Sequence, residues 1–197
     1  RTLRRFSAVP AVAELIVVVA KDEIAFVEGM LEKAQGLKPW CVVQGGAERQ
    51  YSIANGMAHL AADADIVLVH DAARPLVSLA AIEAVIAAAR EKGAAIAAVR
   101  AKNTIKVVGE DGRVEATPAR ASLWEVQTPQ GFRREILERA YEKAAQDGFL
   151  GTDDASLVER IGEAVFVVES DYGNLKITTP EDLWMAEALL AHSAGIV

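Results

Sequence analysis

The stretch richest in chemical potential is His70-Asp71-Ala72-Ala73-Arg74-Pro75. An acid and a guanidinium stand three residues apart, with two alanines between them and a proline closing the turn. They follow at once on Ile66 to Val69, a β-branched, wholly apolar run that suits a strand buried on both faces. Ligands of open α/β sheets sit beyond the carboxyl ends of strands. Asp71 and Arg74 therefore read as a site for a polar, phosphorylated ligand, with an ordinary structural ion pair as the competing reading.

Other clusters fall where strands end or helices begin. Gly45-Gly46-Ala47-Glu48-Arg49, with Ser52 one turn further on, pairs glycines that permit close backbone approach with the free amides of a helix start. A tight strand-to-helix turn explains the same residues equally well. Asn103-Thr104-Ile105-Lys106 and the later Arg120 offer a hydroxyl and a guanidinium suited to a phosphate monoester. On spacing alone they are also ordinary β-surface residues. Thr128 and Thr152 read by themselves as helix caps. Lys176, set among apolar neighbours in Gly173-Asn174-Leu175-Lys176-Ile177-Thr178, is placed to act on a ligand rather than to solvate a surface. The histidines show no metal-ligand spacing, and neither a Gly-x-Ser-x-Gly elbow nor a Walker motif occurs.

Positioning these groups falls to a regular alternation. Strands are predicted over Glu14–Ala20, Trp40–Val43, Ile66–Val69 and Ala94–Val99. Between them lie helices over Asp22–Ala34, with Asp22 as N-cap, then about Glu48–Ala61 and Leu79–Glu91. That rhythm gives right-handed βαβ units and a mostly parallel sheet with helices on both faces. It breaks at Asn103–Val108 and Val114–Thr117, β-like runs around Asp111-Gly112, a hairpin signal. Residues 101–127 therefore read as a projecting β-arm, either a decorated loop or, the favoured reading, an arm exchanged with a second subunit. Trp124–Gln127 follows, then Thr128 to Phe132 as the approach to a helix from about Arg133 to Gln146. A helix over Ala155–Ile161, a strand over Ala164–Val168 and a helix from Pro180 to about His192 complete a single domain over residues 1–197. Leu3, Phe6 and Val9 carry helical spacing with nothing to cap them, so Arg1 reads as lying inside an element and the domain as incomplete at its N-terminus.

Bulk properties exclude several classes. The 197 residues carry a formal net charge of −7, which weighs against a broad nucleic-acid surface, so phosphate must be met by a few local cations. No apolar run approaches the ~18 residues of a membrane span. Cys41 is the single cysteine, which excludes an internal disulfide and reads as a buried structural thiol; a reducing cytoplasm is consistent with it.

Taken in order, His70 to Pro75, Thr104-Ile105-Lys106, Gln127-Thr128-Pro129-Gln130, Thr152-Asp153-Asp154-Ala155-Ser156 and Asn174 to Thr178 resemble the 2-C-methyl-D-erythritol 4-phosphate cytidylyltransferases. Ribitol-5-phosphate cytidylyltransferases share some of these motifs and are the alternative, with a non-catalytic nucleotide or sugar-phosphate binding module as a second. The resemblance implies a Rossmann-like nucleotidyltransferase fold, a cytoplasmic homodimer joined through β-arms, and Mg²⁺ held mainly by the CTP phosphates. It implies that Gly46, Ala47, Ser52 and Ala72 hold the cytidine, and that Asp71, Arg74, Thr104, Thr128 and Thr152 line the polyol phosphate pocket. Arg120, acting across the dimer, and Lys176 would position the attacking phosphate, with Lys176 also facing the triphosphate. Three departures stand out: the family's opening strand and glycine-rich Ala-Ala-Gly-x-Gly-x-Arg loop are not in this sequence, Asn103 replaces a common Asp, and Ala47 stands where some members have Asp.

Overall fold

The computed structural model describes residues 1–194, with side chains described to residue 192. The chain opens with α1 (Thr2–Ser7), β1 (Leu15–Val19), a 3₁₀ turn at Lys21–Glu23 and α2 (Ile24–Leu31). Next come β2 (Trp40–Gln44), α3 (Arg49–Met57), β3 (Ile66–Val69), α4 (Leu79–Lys92) and β4 (Ala94–Arg100). The hairpin β5 (Val107–Val108) and β6 (Val114–Ala116) leads through a 3₁₀ turn at Arg120–Ser122 to β7 (Trp124–Arg133). The chain continues through α5 (Arg134–Asp147), α6 (Asp154–Arg160), β8 (Phe166–Glu169) and α7 (Pro180–Ala194).

Among the described residues β1 and β2 pair in parallel, and a four-stranded sheet runs in the order β3-β7-β4-β8. β7 is antiparallel to both β3 and β4, and β4 is parallel to β8, so β3, β4 and β8 share one direction. The α/β class is thus observed, but the four-stranded sheet is mixed rather than mostly parallel: β7 lies between β3 and β4 and makes two of its three pairings antiparallel. Ala94 to Val99 are buried, as a central strand requires. Alternation along β3 sends Val67 and Val69 to a core with Phe132, Leu137, Ala140 and Val158 from the α5–α6 side. Leu68 turns to the other face, where Phe6, Val77, Ile82 and Ile86 pack. On that face α4 lies close upon β7: a Cβ on Gly131 would come within 2.8 Å of Val85 and 2.9 Å of Leu68.

Local expectations fail in four places. Asp22 caps nothing: Lys21–Glu23 winds as a 3₁₀ turn, and α2 starts after Glu23 without a side-chain cap. Thr128 to Phe132 is the buried carboxyl-terminal half of β7, which runs straight into α5, so Thr128 is a strand residue and not a helix cap. Thr104 and Lys106 precede the short β5 rather than lying in a strand. Cys41 is only partly buried, and burial, with Glu14 nearby, raises its thiol pKa. Among the described residues no helix is long and apolar enough to cross a membrane.

Candidate functional site

The shared direction of β3, β4 and β8 delivers their carboxyl ends to one rim. β3 feeds the His70–Pro75 turn, which is closed by the Arg74 amide donating to the Asp71 carbonyl at 2.9 Å. β8 feeds the segment from Ser170 to Lys176, and the Ile177 amide donates to the Ala73 carbonyl at 2.8 Å, which lays this segment against the turn. Lys176 thereby reaches Asp71, with Nζ 3.0 Å from Oδ2. Arg74 Nε lies 3.6 Å from the same oxygen, and Arg49 Nε lies 3.6 Å from Oδ1.

Burial works to raise the Asp71 pKa, but the Lys176 hydrogen bond and the charges of Lys176, Arg49 and Arg74 outweigh it and hold the carboxyl below its ordinary range. Arg74 feels the same burial, which pulls its pKa below the usual guanidinium value against the pull of Asp71. Its Nη1 donates to the Asn174 carbonyl at 2.8 Å. Asn174 is itself fully buried, and its amide donates to Gln127 Oε1 at 2.9 Å and to the Thr128 carbonyl at 2.8 Å. Asn174 therefore pins the Lys176 segment to β7 while its carbonyl aims Arg74. A cleft of about 230 Å³ opens here, with Arg74, Gln127, Asn174 and Lys176 on its walls.

Arg49, the first residue of α3, ties this cluster to two further loops. Its Nη1 donates to Asp154 Oδ2 at 2.8 Å. Asp154 is 1% exposed and also accepts from the Tyr141 hydroxyl. Burial opposes the Arg49 charge, but Asp154, then Asp71, raise its pKa overall. Gln130, also 1% exposed, donates to Asp153 at 2.8 Å and accepts from the Ala155 amide at 3.1 Å, so β7 holds the start of α6 in place. Just before Arg49, the Gly46 amide donates to Ser52 Oγ at 3.1 Å, and Ser52 donates to the Glu48 carbonyl at 3.1 Å. A Cβ on Gly46 would fall 2.4 Å from Tyr51 Cβ, so the turn admits no side chain there.

The structure thus brings Asp71, Arg74 and Lys176 together and places exposed Ala72 in the same turn, its carbonyl accepting from Thr2 Oγ1 at 2.8 Å. Gly46, Ala47 and Ser52 share one turn, joined to the cluster through Arg49. Thr152 is exposed directly before the α6 cap. Thr128 is buried, its hydroxyl between the Asp71 amide and His70. Thr104 and Arg120 lie out on the arm, where Arg120 donates to the Lys102 carbonyl at 3.0 Å; neither is brought to the cluster. Sequence reasoning missed the roles of Arg49, Asp154, Gln130 and Asn174. The signal available for Arg49 was its place at a helix start three residues after two glycines. Asp154 was hidden in a motif that also reads as a cap.

A larger cleft of about 340 Å³ lies at the other end of β3, but its charged groups serve the fold. Arg133 donates to the carbonyls of Arg90 and Glu91, Arg134 to Glu138 and the Ala61 carbonyl, and Arg90 to Asp65.

Against known families, residues 1–192 match the model described as IspD: 2-C-methyl-D-erythritol 4-phosphate cytidylyltransferase. The chain belongs to this cytidylyltransferase family. The protein of that name from Caldanaerobacter subterraneus is 47% identical over 190 residues, which cover 96% of this chain and 84% of that one. The Bacillus pumilus protein of the same name is 47% identical over 195 residues, covering 98% and 84% respectively. Among solved structures, a 4-diphosphocytidyl-2C-methyl-D-erythritol synthase from Anaerococcus prevotii superposes with a TM-score of 0.90 at 35% identity, covering 96% of this chain and 87% of that one. The cluster at the carboxyl rim therefore lies in a chain with a cytidylyltransferase-family fold.

Proposed function

We propose that this chain transfers CMP from CTP to 2-C-methyl-D-erythritol 4-phosphate, releasing pyrophosphate, in the formation of isoprenoid precursors. The observation that carries the reading is the meeting of Arg74 and Lys176 around Asp71 in a member of this family. An oxygen of the polyol phosphate attacks the α-phosphorus of CTP. A new P–O bond forms, the bond to the α,β-bridging oxygen breaks, and pyrophosphate leaves with the electron pair. The attacking phosphate is already ionised, so the protein's work is to bring two anions together and to offset charge at the five-coordinate phosphorus.

Lys176, half exposed on its aspartate, is free to meet both the attacking phosphate and the triphosphate. Asp71, Arg74, Thr128 and Thr152 serve the polyol phosphate, which Thr104, out on the arm, reaches only in a homodimer, and Gly46, Ala47, Ser52 and Ala72 serve the cytidine. Mg²⁺ fits this donor set as an ion carried by the nucleotide. Asp71 is already held by cations, and among the described residues no group of three His, Cys, Asp or Glu side chains converges on a metal position. When bound, the ion offsets charge on the phosphate oxygens.

The arm completes the site in a homodimer. Ile105, Val107, Val108 and Val114 expose 42–52% of their surface on it. A two-stranded hairpin is marginal in isolation, so a second subunit supplies the missing contact and receives Arg120 in return. The same reading puts the enzyme in the cytoplasm with its nucleotide. The test is pyrophosphate release from CTP with methylerythritol phosphate and with ribitol 5-phosphate in parallel. Turnover on the first supports the proposal; preference for the second transfers it to the ribitol enzymes, and binding without release makes it a binding module.

A further inference from the structure

The hydrogen bonds around His70 are fixed by which groups can donate. The Arg74 carbonyl can only accept, and it lies 3.1 Å from His70 Nε2, so Nε2 carries a proton. The Asp71 amide can only donate, and it points at Thr128 Oγ1 from 3.0 Å. That hydroxyl, 3.0 Å from His70 Nδ1, therefore accepts from Asp71 and gives its own proton to Nδ1. The other neutral tautomer would set an Nε2 lone pair against a carbonyl oxygen. The Phe6 ring, 4.7 Å from the imidazole, closes the outer side from α1. The ionised groups facing the ring are Asp71 and Arg74 of the turn itself.

We infer that His70 is a positioning residue: an imidazole protonated on Nε2 that clamps the Asp71–Arg74 turn from behind through both ring nitrogens, with the Thr128 hydroxyl as relay. One nitrogen fixes the carbonyl at the Arg74 end, and the other fixes the amide at the Asp71 end. Both side chains thus leave the turn toward Lys176. Burial, reinforced by the Arg74 charge, holds the ring's pKa down at about 4, so the clamp is intact at neutral pH. Thr128 changes role as well. Its proton is committed to His70, so it can meet a substrate only as an acceptor, and its match is a hydroxyl of the polyol. In its catalytic meaning the inference rests on the transfer proposed above.

Nitrogen-resolved NMR of the wild-type imidazole at neutral pH comes first; a proton on Nε2 and none on Nδ1 is expected, and a proton on Nδ1 overturns the assignment. Kinetics follow. His70→Gln keeps a donor near Nε2, and His70→Asn keeps an acceptor near Nδ1. Each should lose about tenfold in kcat/KM for the polyol phosphate, and His70→Ala about a hundredfold, while KM for CTP stays within about twofold. Folded variants with wild-type kcat/KM would reduce the ring to a packing element and end the proposal. Should His70→Ala not fold, the His70→Gln and His70→Asn kinetics and the wild-type tautomer decide the proposal by themselves. The NMR result needs no substrate, so a correct tautomer in a chain that releases no pyrophosphate sinks the proposed transfer, whereas an active His70→Ala sinks only the clamp.

Discussion

At the scale of the residue, Lys176 and His70 show how the same rim uses one exposed and one partly buried base. The Lys176 side chain is 46% exposed and touches the fold mainly through Asp71. Replacing it by Ala leaves Asp71 with Arg74 and Arg49, so the fold should survive with an unchanged melting curve. Turnover should fall by roughly 10²–10³, by analogy with the loss of one oxyanion donor. Steady-state pyrophosphate release measures this, and a wild-type rate would remove Lys176 from the mechanism. His70 makes a separate prediction about stability. Its folded-state pKa of about 4 lies below the unfolded value of 6.5, so the unfolded chain binds the extra proton first. Its contribution is full above pH 6.5 and is lost as pH falls toward 4, amounting to roughly 3 kcal/mol at 1.36 kcal/mol per pH unit. Asp71, with its pKa lowered from 3.8, loses its contribution only in more acid solution. Urea unfolding at pH 7 and pH 5 should therefore show a smaller loss in His70→Gln than in the wild type. An equal loss in both would place the titration elsewhere.

At the scale of the element, the start of α6 is held by a reciprocal cap. Asp153 accepts from the Ser156 amide at 2.9 Å and also receives the buried Gln130 amide. Asp153→Ala should cost about 1–2 kcal/mol by urea unfolding, the upper end of a cap's contribution because a buried donor loses its partner too. A change under about 0.5 kcal/mol would show that the cap is replaced by water. The cap itself was misread from sequence, since Asp22, Thr128 and Thr152 read as caps while Asp153 is the residue that caps α6. β3 and the βαβ rhythm were legible, because period and punctuation agree there. β7 was not. Pro129 and Gly131 sit inside it and read as a turn, since proline removes a ladder donor. The fold accommodates them at a local defect: the pairing of β4 with β7 shifts register between Ile96 and Ala98, opposite this segment, and Gly131 admits α4. The site was legible where its groups lie in one turn, as Asp71 and Arg74 do, or in a distinctive motif, as Lys176 does. Arg49 and Asp154 meet across 105 residues, and no local pattern announces such a pair.

At the scale of the whole molecule, the net charge of −7 and the cationic rim are compatible because the cations are gathered, not numerous. What one subunit gathers is Arg74, Lys176 and Arg49; Arg120 remains on its own arm, bonded to Lys102. In the proposed homodimer with exchanged arms, two-fold symmetry would resolve this, each rim taking its guanidinium from the other subunit. The consequence is a complementation that no single-chain site permits. Arg120→Ala and Lys176→Ala should each be nearly inactive alone. In a mixed dimer, one rim combines an intact Lys176 with the other subunit's intact Arg120, while the second rim lacks both. Random exchange from equal amounts makes half the dimers mixed, so about a quarter of all rims are complete and about a quarter of wild-type activity should return. Co-expressing the two variants with different affinity tags and isolating the doubly tagged dimer raises the expectation to about half. If Arg120 instead served the rim of its own chain, every rim in the mixture would carry one defect, and no activity above the single variants would appear.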